Sequence, residues 1–401
     1  MNVESPEFIQ NPYPFYAQRR TLGGALNVKL GVWTLTGYAE LSEALQNSAA
    51  GRGNIGADPV LPRTAKELEA LRLNNSAVRL LDQWMLFKNP PEHTKIRGKV
   101  AKQMTARVIS KLEPTIRAVL QELYANIKQK SGSRFELVSQ IAYPLPSRVI
   151  GELLGVPAQN QARFAELSKI FTKAVEVDYS LLAPAQLAHL NAAADELSSL
   201  FSQLIERDSG ETKSLIDRLM ADDGAALSEH EVLANCVFLL FAGLETTAFA
   251  LSNSVYSFLL HPEQIDLLKN NPGLLDTAVE ESLRFDPPIQ MVGRYALNDF
   301  SIGKYTVKQG SHLFAFLGAA GRDPEANPDP DVFNIERQHI KHLAFARGTH
   351  HCLGALLAKL ELKIFLETFF EEFPDLKIDG TATRKPTWLM RGFSSLPLAY
   401  S

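Results

Sequence analysis

Two cysteines in 401 residues, Cys236 and Cys352, are too few and too far apart for a framework of bridges. A reducing, cytoplasmic setting is the simpler expectation, and each thiol needs its own explanation. An excess of positive charge is also missing: 41 Lys+Arg against 45 Asp+Glu leave a net charge of -4, so no global basic field exists to hold nucleic acid or anionic lipid. The N-terminal stretch Met1 to Arg20 carries Pro6, Pro12 and Pro14 and no basic-then-apolar arrangement, which argues against a secretory signal or membrane anchor. The longest apolar run, Val232 to Phe249, is interrupted by Asn235, Glu245, Thr246 and Thr247, so a membrane-spanning helix of about 20 apolar residues is not expected. No repeat, linker or sharp composition shift divides the chain. A single domain over 1–401 is expected, monomeric, with 45% hydrophobic residues to fill its core.

Residues 25–36 alternate apolar and polar around Gly31, which predicts a hairpin, and Tyr38 to Leu45 then reads as a helix. From Pro91 to Glu371 the period is helical, with helices predicted at 92–108, 113–130, 145–154, 161–177, 184–207, 228–260, 272–285 and 355–371. The stretch 293–318, with Gly303 and Gly310 between β-branched and aromatic runs, predicts a second small sheet. The fold class is therefore mainly α with minor β. Ser228 and Glu231 form a Ser-x-x-Glu box opening the longest helix, which is apolar on nearly every side and expected to cross the interior. Arg322 to Ala344, with Pro324, Pro328 and Pro330, reads as a long irregular loop of the kind that usually has a function.

Four groups of residues carry chemistry. Cys352 lies between Gly348 and Gly354, directly before a helix beginning near Ala355, where backbone N–H groups and the positive helix end favour a thiolate and glycines admit a large planar ligand. An ordinary buried cysteine is the bland alternative. Zinc with His339, His342, His350 and His351 is another, opposed by the single sulfur and the lack of paired-ligand spacing. Ala242-Gly243-Leu244-Glu245-Thr246-Thr247 puts an acid and an alcohol inside the apolar helix; they could be a structural pair with threonines bonded one turn back, or a relay that moves protons in a dry site. Glu281 and Arg284, at i and i+3, share one helix face, a spacing that is common on exposed helices. His93, Arg97, Arg294 and His350 could each be an ordinary solvated cation.

The string Phe345-Ala346-Arg347-Gly348-Thr349-His350-His351-Cys352-Leu353-Gly354 resembles the cysteine-ligand loop of the cytochrome P450 family, with Ala346 where many relatives have glycine. The Ala242–Thr247 string resembles that family's oxygen-binding helix, and the order of long helix, Glu-x-x-Arg, sheet and Cys loop is also the family's. The resemblance spans nearly the whole chain. It implies a triangular helical domain with small β-sheets and haem b between the long helix and the Cys loop. It makes Cys352 the axial thiolate of the haem iron. Phe345, Gly348, Gly354, Ala242 and Gly243 would line the cofactor, and His93, Arg97, Arg294 and His350 would form a ring of cations around its propionates. Thr246 would support oxygen activation and Glu245 feed the proton path. Glu281 and Arg284 would lock the fold with an arginine from the irregular loop; Val332 stands where that arginine is expected, which leaves Arg337 as a substitute.

The implied activity is that of a haem-thiolate monooxygenase, which uses O2 to hydroxylate or epoxidise an apolar or amphipathic small molecule, with secondary metabolites such as polyketides as the class indicated by analogy. Trp84, Phe87, Ile289, Met291 and Phe393 are the implied substrate walls, within or beside the variable segment 52–88, the helices around 164–190, the Ile289–Val292 loop and the C-terminal turn. Lys88, Lys95, Lys99, Lys102, Arg107 and Arg347 suggest a local basic face for an acidic ferredoxin or flavodoxin served by its own reductase, since no flavin or nicotinamide fingerprint is present. An isomerase or desaturase on the same cofactor, and a haem-based binding or sensor protein without turnover, are the rival readings.

Overall fold

The alternating segment at the N-terminus becomes a strand pair in the computed structural model, which describes residues 3–22, 25–27, 32–52, 65–130, 132–176, 183–207, 214–221 and 227–401. Ala25–Asn27 runs antiparallel to Val32–Leu35 with Leu26 opposite Trp33, while the turn at Gly31 lies outside the described residues. The stretch 293–318 does not make a separate sheet as expected. Its outer strands, Val292–Ala296 and His312–Ala315, extend the N-terminal hairpin: His312–Ala315 pairs in parallel with Val32–Leu35 and antiparallel with Val292–Ala296. Parallel pairing joins segments from opposite parts of the chain, so no local pattern reports it. Only Phe300–Ile302 and Tyr305–Val307 close locally, about Gly303 at φ +52°. Trp33, Leu35, Leu313 and Ala315 project to one side of the larger sheet and share a core with Leu41, Leu45 and Leu317.

The chain gathers into two compact units, one made of Met1–Ala50, Glu113–Pro146 and Thr246–Ser401, the other of Gly51–Leu112 and Ser147–Glu245. In the first, the helix Ala355–Glu372 packs against Glu113–Lys130 and Leu275–Phe285. Phe373 at its end meets Phe135 with ring centroids 4.8 Å apart and Tyr124 edge-on at 5.3 Å. The C-terminal strand Pro397–Ala399 lies between Arg134–Glu136 and Lys377–Ile378, setting Leu398 opposite Phe135. In the second unit, Pro184–Glu206 packs on Ala158–Glu176 and Ser76–Asp82, and Glu92–Gln103 packs on Leu215–Met220. The expected helix 92–108 breaks at Met104 and Thr105, whose backbone leaves the helical region before a short turn at Ala106–Ile109. Helices Ala65–Asn74 and Ser76–Asp82 occupy part of the segment read as merely variable; 53–64 and 177–182 lie outside the described residues.

The longest helix, Glu229–Leu260, opens with the expected box: Ser228 N–H donates to the Glu231 carboxylate at 2.7 Å and Glu231 N–H to Ser228 Oγ at 3.2 Å. Contrary to the expectation from its polar interruptions, it is long and apolar enough to cross a membrane by length and composition. With 78% of its most apolar window buried inside the protein, it passes that test as a core helix does. The division between the units falls along this helix, between Glu245 and Thr246.

Candidate functional site

The Cys loop is a built turn. Cys352 N–H donates to the Phe345 carbonyl at 2.9 Å and Ala346 N–H to the Leu343 carbonyl at 2.8 Å. Ala346 sits at φ +54° and Gly348 at φ +69°. Only at Gly348 is the missing side chain also a steric requirement, because a Cβ there would run into the Leu45 carbonyl. Arg347 straps the loop to the helix Tyr38–Gln46, donating to Ser42 Oγ and to the Tyr38 hydroxyl, both at 2.9 Å. The Cys352 thiol is exposed. Gly354 caps the next helix without a side-chain bond, and a Cβ on it would meet no atom within 4 Å. A thiol at the uncapped start of an 18-residue helix, next to open space, suits an anionic sulfur bound to a metal and faced by a planar ligand.

Along the long helix, Phe238, Ala242, Gly243 and Thr246 are half-buried while most of their neighbours are buried. Phe238, Ala242 and Thr246 recur every four residues, so they form one stripe that faces accessible space. Glu245 is off this stripe and buried. Gly243 has a packing reason of its own, since a Cβ there would press on Ile150 Cδ1 at 3.3 Å. Phe238 was missed in the sequence, although its spacing from Thr246 was the available signal. Asn235, one turn earlier and buried, was missed too: its side-chain carbonyl accepts from Met85 N–H at 2.9 Å and its amide donates to the Gln83 carbonyl at 3.1 Å. It holds the backbone on either side of Trp84.

Trp84 is fully buried, with ring centroids 5.3 Å from Phe238 and from Phe241, 5.9 Å from Phe171 and 6.3 Å from Phe87. Its indole N–H has no hydrogen-bond partner among the described residues. The other wall residues divide. Ile289 is half-buried and bridges to Met390. Met291 packs with Phe8, Tyr16 and Phe316, and Phe393 is held between Tyr256 and Arg384, so both are committed to core contacts.

Glu281 and Arg284 are fully buried and bonded through both carboxylate oxygens, at 2.6 and 2.8 Å. The remaining guanidinium hydrogens go to the carbonyls of Gly321 and Pro330 at 2.7 Å and of Val332 at 3.0 Å. The doubt raised by Val332 is resolved by Arg337. Its Nε lies 3.3 Å from Glu281, and its other nitrogens hold the carbonyls of Pro328, Asp329 and Val332, so a triad forms without an arginine at 332. Val332 contributes its backbone instead.

Burial and the neighbouring Arg97 charge push the His93 imidazole down to about 4 in the protein alone, the direction that two facing cofactor carboxylates would oppose. Arg97 is half-buried on the same helix. Arg294 is buried on the strand Val292–Ala296 beside Gly293, where a Cβ would meet nothing within 4 Å, and His350 is half-buried in the turn Gly348–His350. Thr246, Arg294, Phe345, Gly348, His350, Cys352 and Gly354 belong to the first unit; Trp84, Phe87, His93, Arg97, Ala242, Gly243 and Glu245 belong to the second. The basic face is smaller than its lysine count suggests, because Lys95 is paired with Glu231 at 3.1 Å and Lys88 with Asp82 at 3.6 Å. Lys102 and Arg107 are exposed. An exposed thiol, open space at Gly354 and Gly293, and buried arginine together fit haem b, with sulfur for its iron and cations for its carboxylates.

The family model described as Cytochrome P450 matches residues 63–400. The Biotin biosynthesis cytochrome P450 of Bacillus subtilis (strain 168) is 32% identical over 405 residues, covering 100% of this chain and 98% of that protein. The Cytochrome P450 monooxygenase PikC of Streptomyces venezuelae is 32% identical over 407 residues, covering 98% and 92%. Among solved structures, P450BioI in complex with hexadec-9Z-enoic acid ligated acyl carrier protein superimposes with a TM-score of 0.88 at 32% identity, over 98% of this chain and 100% of that one. With its mainly α fold, its Cys352 loop and its Glu281–Arg284–Arg337 lock, the chain belongs to the cytochrome P450 family of haem b enzymes and is a P450 monooxygenase.

Proposed function

We propose that this enzyme hydroxylates or epoxidises an apolar or amphipathic small molecule, of the secondary-metabolite type exemplified by polyketides, using electrons from a separate ferredoxin or flavodoxin. The observation that carries the reading is the exposed Cys352 thiol at the start of the helix Ala355–Glu372. Bound there, haem b supplies the oxygen and electron chemistry. The chain's own residues do the rest. Loop N–H groups and the helix start keep Cys352 Sγ anionic. By the family resemblance, Arg294 with His350 in the first unit, and Arg97 with His93 in the second, are the groups that would pair with the cofactor's carboxylates. Thr246 Oγ1, on the half-open stripe, would hold a proton donor toward the bound cofactor, and the buried Glu245 carboxyl, one position earlier on the helix, would resupply the proton. The Trp84–Phe87–Phe238 wall excludes water and selects apolar ligands. The exposed Lys102 and Arg107 are part of the electron-donor face.

The ferrous carbon monoxide spectrum tests the reading: a strongly red-shifted Soret band in the wild type, lost in Cys352→Ser, is expected, and a histidine-like band in folded wild type would overturn it. Thr246→Ala should keep that band and NADH consumption with a surrogate ferredoxin pair while losing product; unchanged product yield would favour isomerase or other chemistry without oxygen activation. No NADH consumption with any substrate would favour the sensor reading. A spin-state screen should include free polyketide and fatty-acid ligands alongside acyl carrier protein thioesters, because one relative was crystallised with such a partner.

A further inference from the structure

Resting on the thiolate reading above, we propose that Glu280 is a positioning residue for the Cys352 loop, holding the segment that enters the loop and the helix that leaves it through two separate hydrogen bonds. Glu280 neighbours the triad residue Glu281 but faces elsewhere. One of its oxygens lies 2.9 Å from His342 Nε2 and the other 2.5 Å from Lys359 Nζ. His342 in turn accepts Ala344 N–H on Nδ1 at 3.2 Å, which places the ring hydrogen on Nε2, pointing at the carboxylate. Ala344 directly precedes Phe345, whose carbonyl receives Cys352 N–H at 2.9 Å.

The other arm reaches the same loop from the far side. Lys359 belongs to the helix that begins three residues after Cys352, and its ammonium sits 5.4 Å from the centre of the Phe345 ring. The His342 and Phe345 rings are 6.3 Å apart. One carboxylate thus orients a histidine that fixes the loop's incoming backbone and a lysine that fixes its outgoing helix, with Phe345 beside both. Burial opposes the Glu280 charge, but the bonds from His342 and Lys359 outweigh it and hold the acid down at about 2. Two charge-assisted or ring-directed bonds to one anion fix a geometry that a single contact would leave free to rotate.

The test compares wild type, Glu280→Gln and Glu280→Leu as haem-loaded proteins by ferrous carbon monoxide spectrum, midpoint potential and amide exchange at Ala344, with melting temperature as the check on folding. Glu280→Leu is expected to lose most of the red-shifted band over time, shift the potential and exchange Ala344 faster; Glu280→Gln, which keeps an acceptor, should recover part of each. Should Glu280→Leu not fold, His342→Phe and Lys359→Met each remove one arm and are read the same way. Variants that lower only the melting temperature, with wild-type band, potential and exchange, would overturn the proposal and make Glu280 an ordinary structural acid. A wild type without the red-shifted band would instead sink the thiolate reading, and this inference with it.

Discussion

Replacing Glu361 by glutamine should make this protein less stable than wild type in acid and more stable than wild type in alkali. Glu361 lies within the helix Ala355–Glu372, buried, and its Oε2 has no hydrogen-bond partner among the described residues. Burial raises its carboxyl from 4.5 to about 8. The folded protein therefore binds this proton more tightly than the unfolded chain does, and ionisation works against folding. The contribution is fully present below about pH 4.5, declines as the pH rises toward 8 and is lost above it. At about 1.4 kcal/mol per pH unit, the loss amounts to roughly 3 kcal/mol at neutral pH and roughly 5 kcal/mol in alkaline solution, a large share of a typical domain's stability. Glutamine cannot ionise, but its buried amide is left unpaired at a cost of about 1–3 kcal/mol at every pH. Urea unfolding of both haem-loaded proteins from about pH 5 to about pH 9 should give curves that cross, wild type the more stable in acid and Glu361→Gln in alkali. Parallel curves would show that Glu361 is ionised in the folded protein and would refute the reasoning.

Other substitutions have directions set by the geometry. Ala346→Gly should raise stability by about 1 kcal/mol in a denaturation midpoint, because the φ of +54° is a left-handed backbone that an alanine enters at a cost. Gly348→Ala combines a positive φ with a collision at the Leu45 carbonyl, and a loss of about 3 kcal/mol together with poor haem retention on a desalting column is expected. Glu281→Gln leaves the buried Arg284 guanidinium without its anion and should cost about 3–5 kcal/mol, whereas Arg337→Met, which keeps the Glu281–Arg284 pair, should cost clearly less in the same unfolding assay. Reduction by a ferredoxin should slow with ionic strength, and charge reversal at Lys102 or Arg107 should flatten that slope more than reversal at Lys95, whose charge Glu231 already offsets.

What could be read in the chain beforehand follows physical range. The Ser228–Glu231 box, the 113–130 helix and the turn around Cys352 depend on residues a few positions apart, and each stands where its spacing put it. The parallel partnership of Val32–Leu35 with His312–Ala315 has no such local signature, and it turned two expected sheets into one. Arg337 was undervalued because the irregular loop carries no period; only folding shows that its guanidinium turns back to Glu281 while Val332 supplies a carbonyl. Glu361 was invisible for the opposite reason. It sits in a regular helix among apolar neighbours, and sequence periodicity does not report whether a carboxyl finds a partner.

The strap at Arg347 imposes an order of events on the growing polypeptide. Its two bonds span 305 and 309 residues, from the Cys loop back to Ser42 and Tyr38, and the Leu45 carbonyl occupies the space that Gly348 leaves clear. The helix Tyr38–Gln46 is thus part of the seat for a loop made 305 to 309 residues later. A nascent chain cannot close this strap until those 305 to 309 residues have been made, so the final seating of the Cys loop depends on contacts of the longest sequence range.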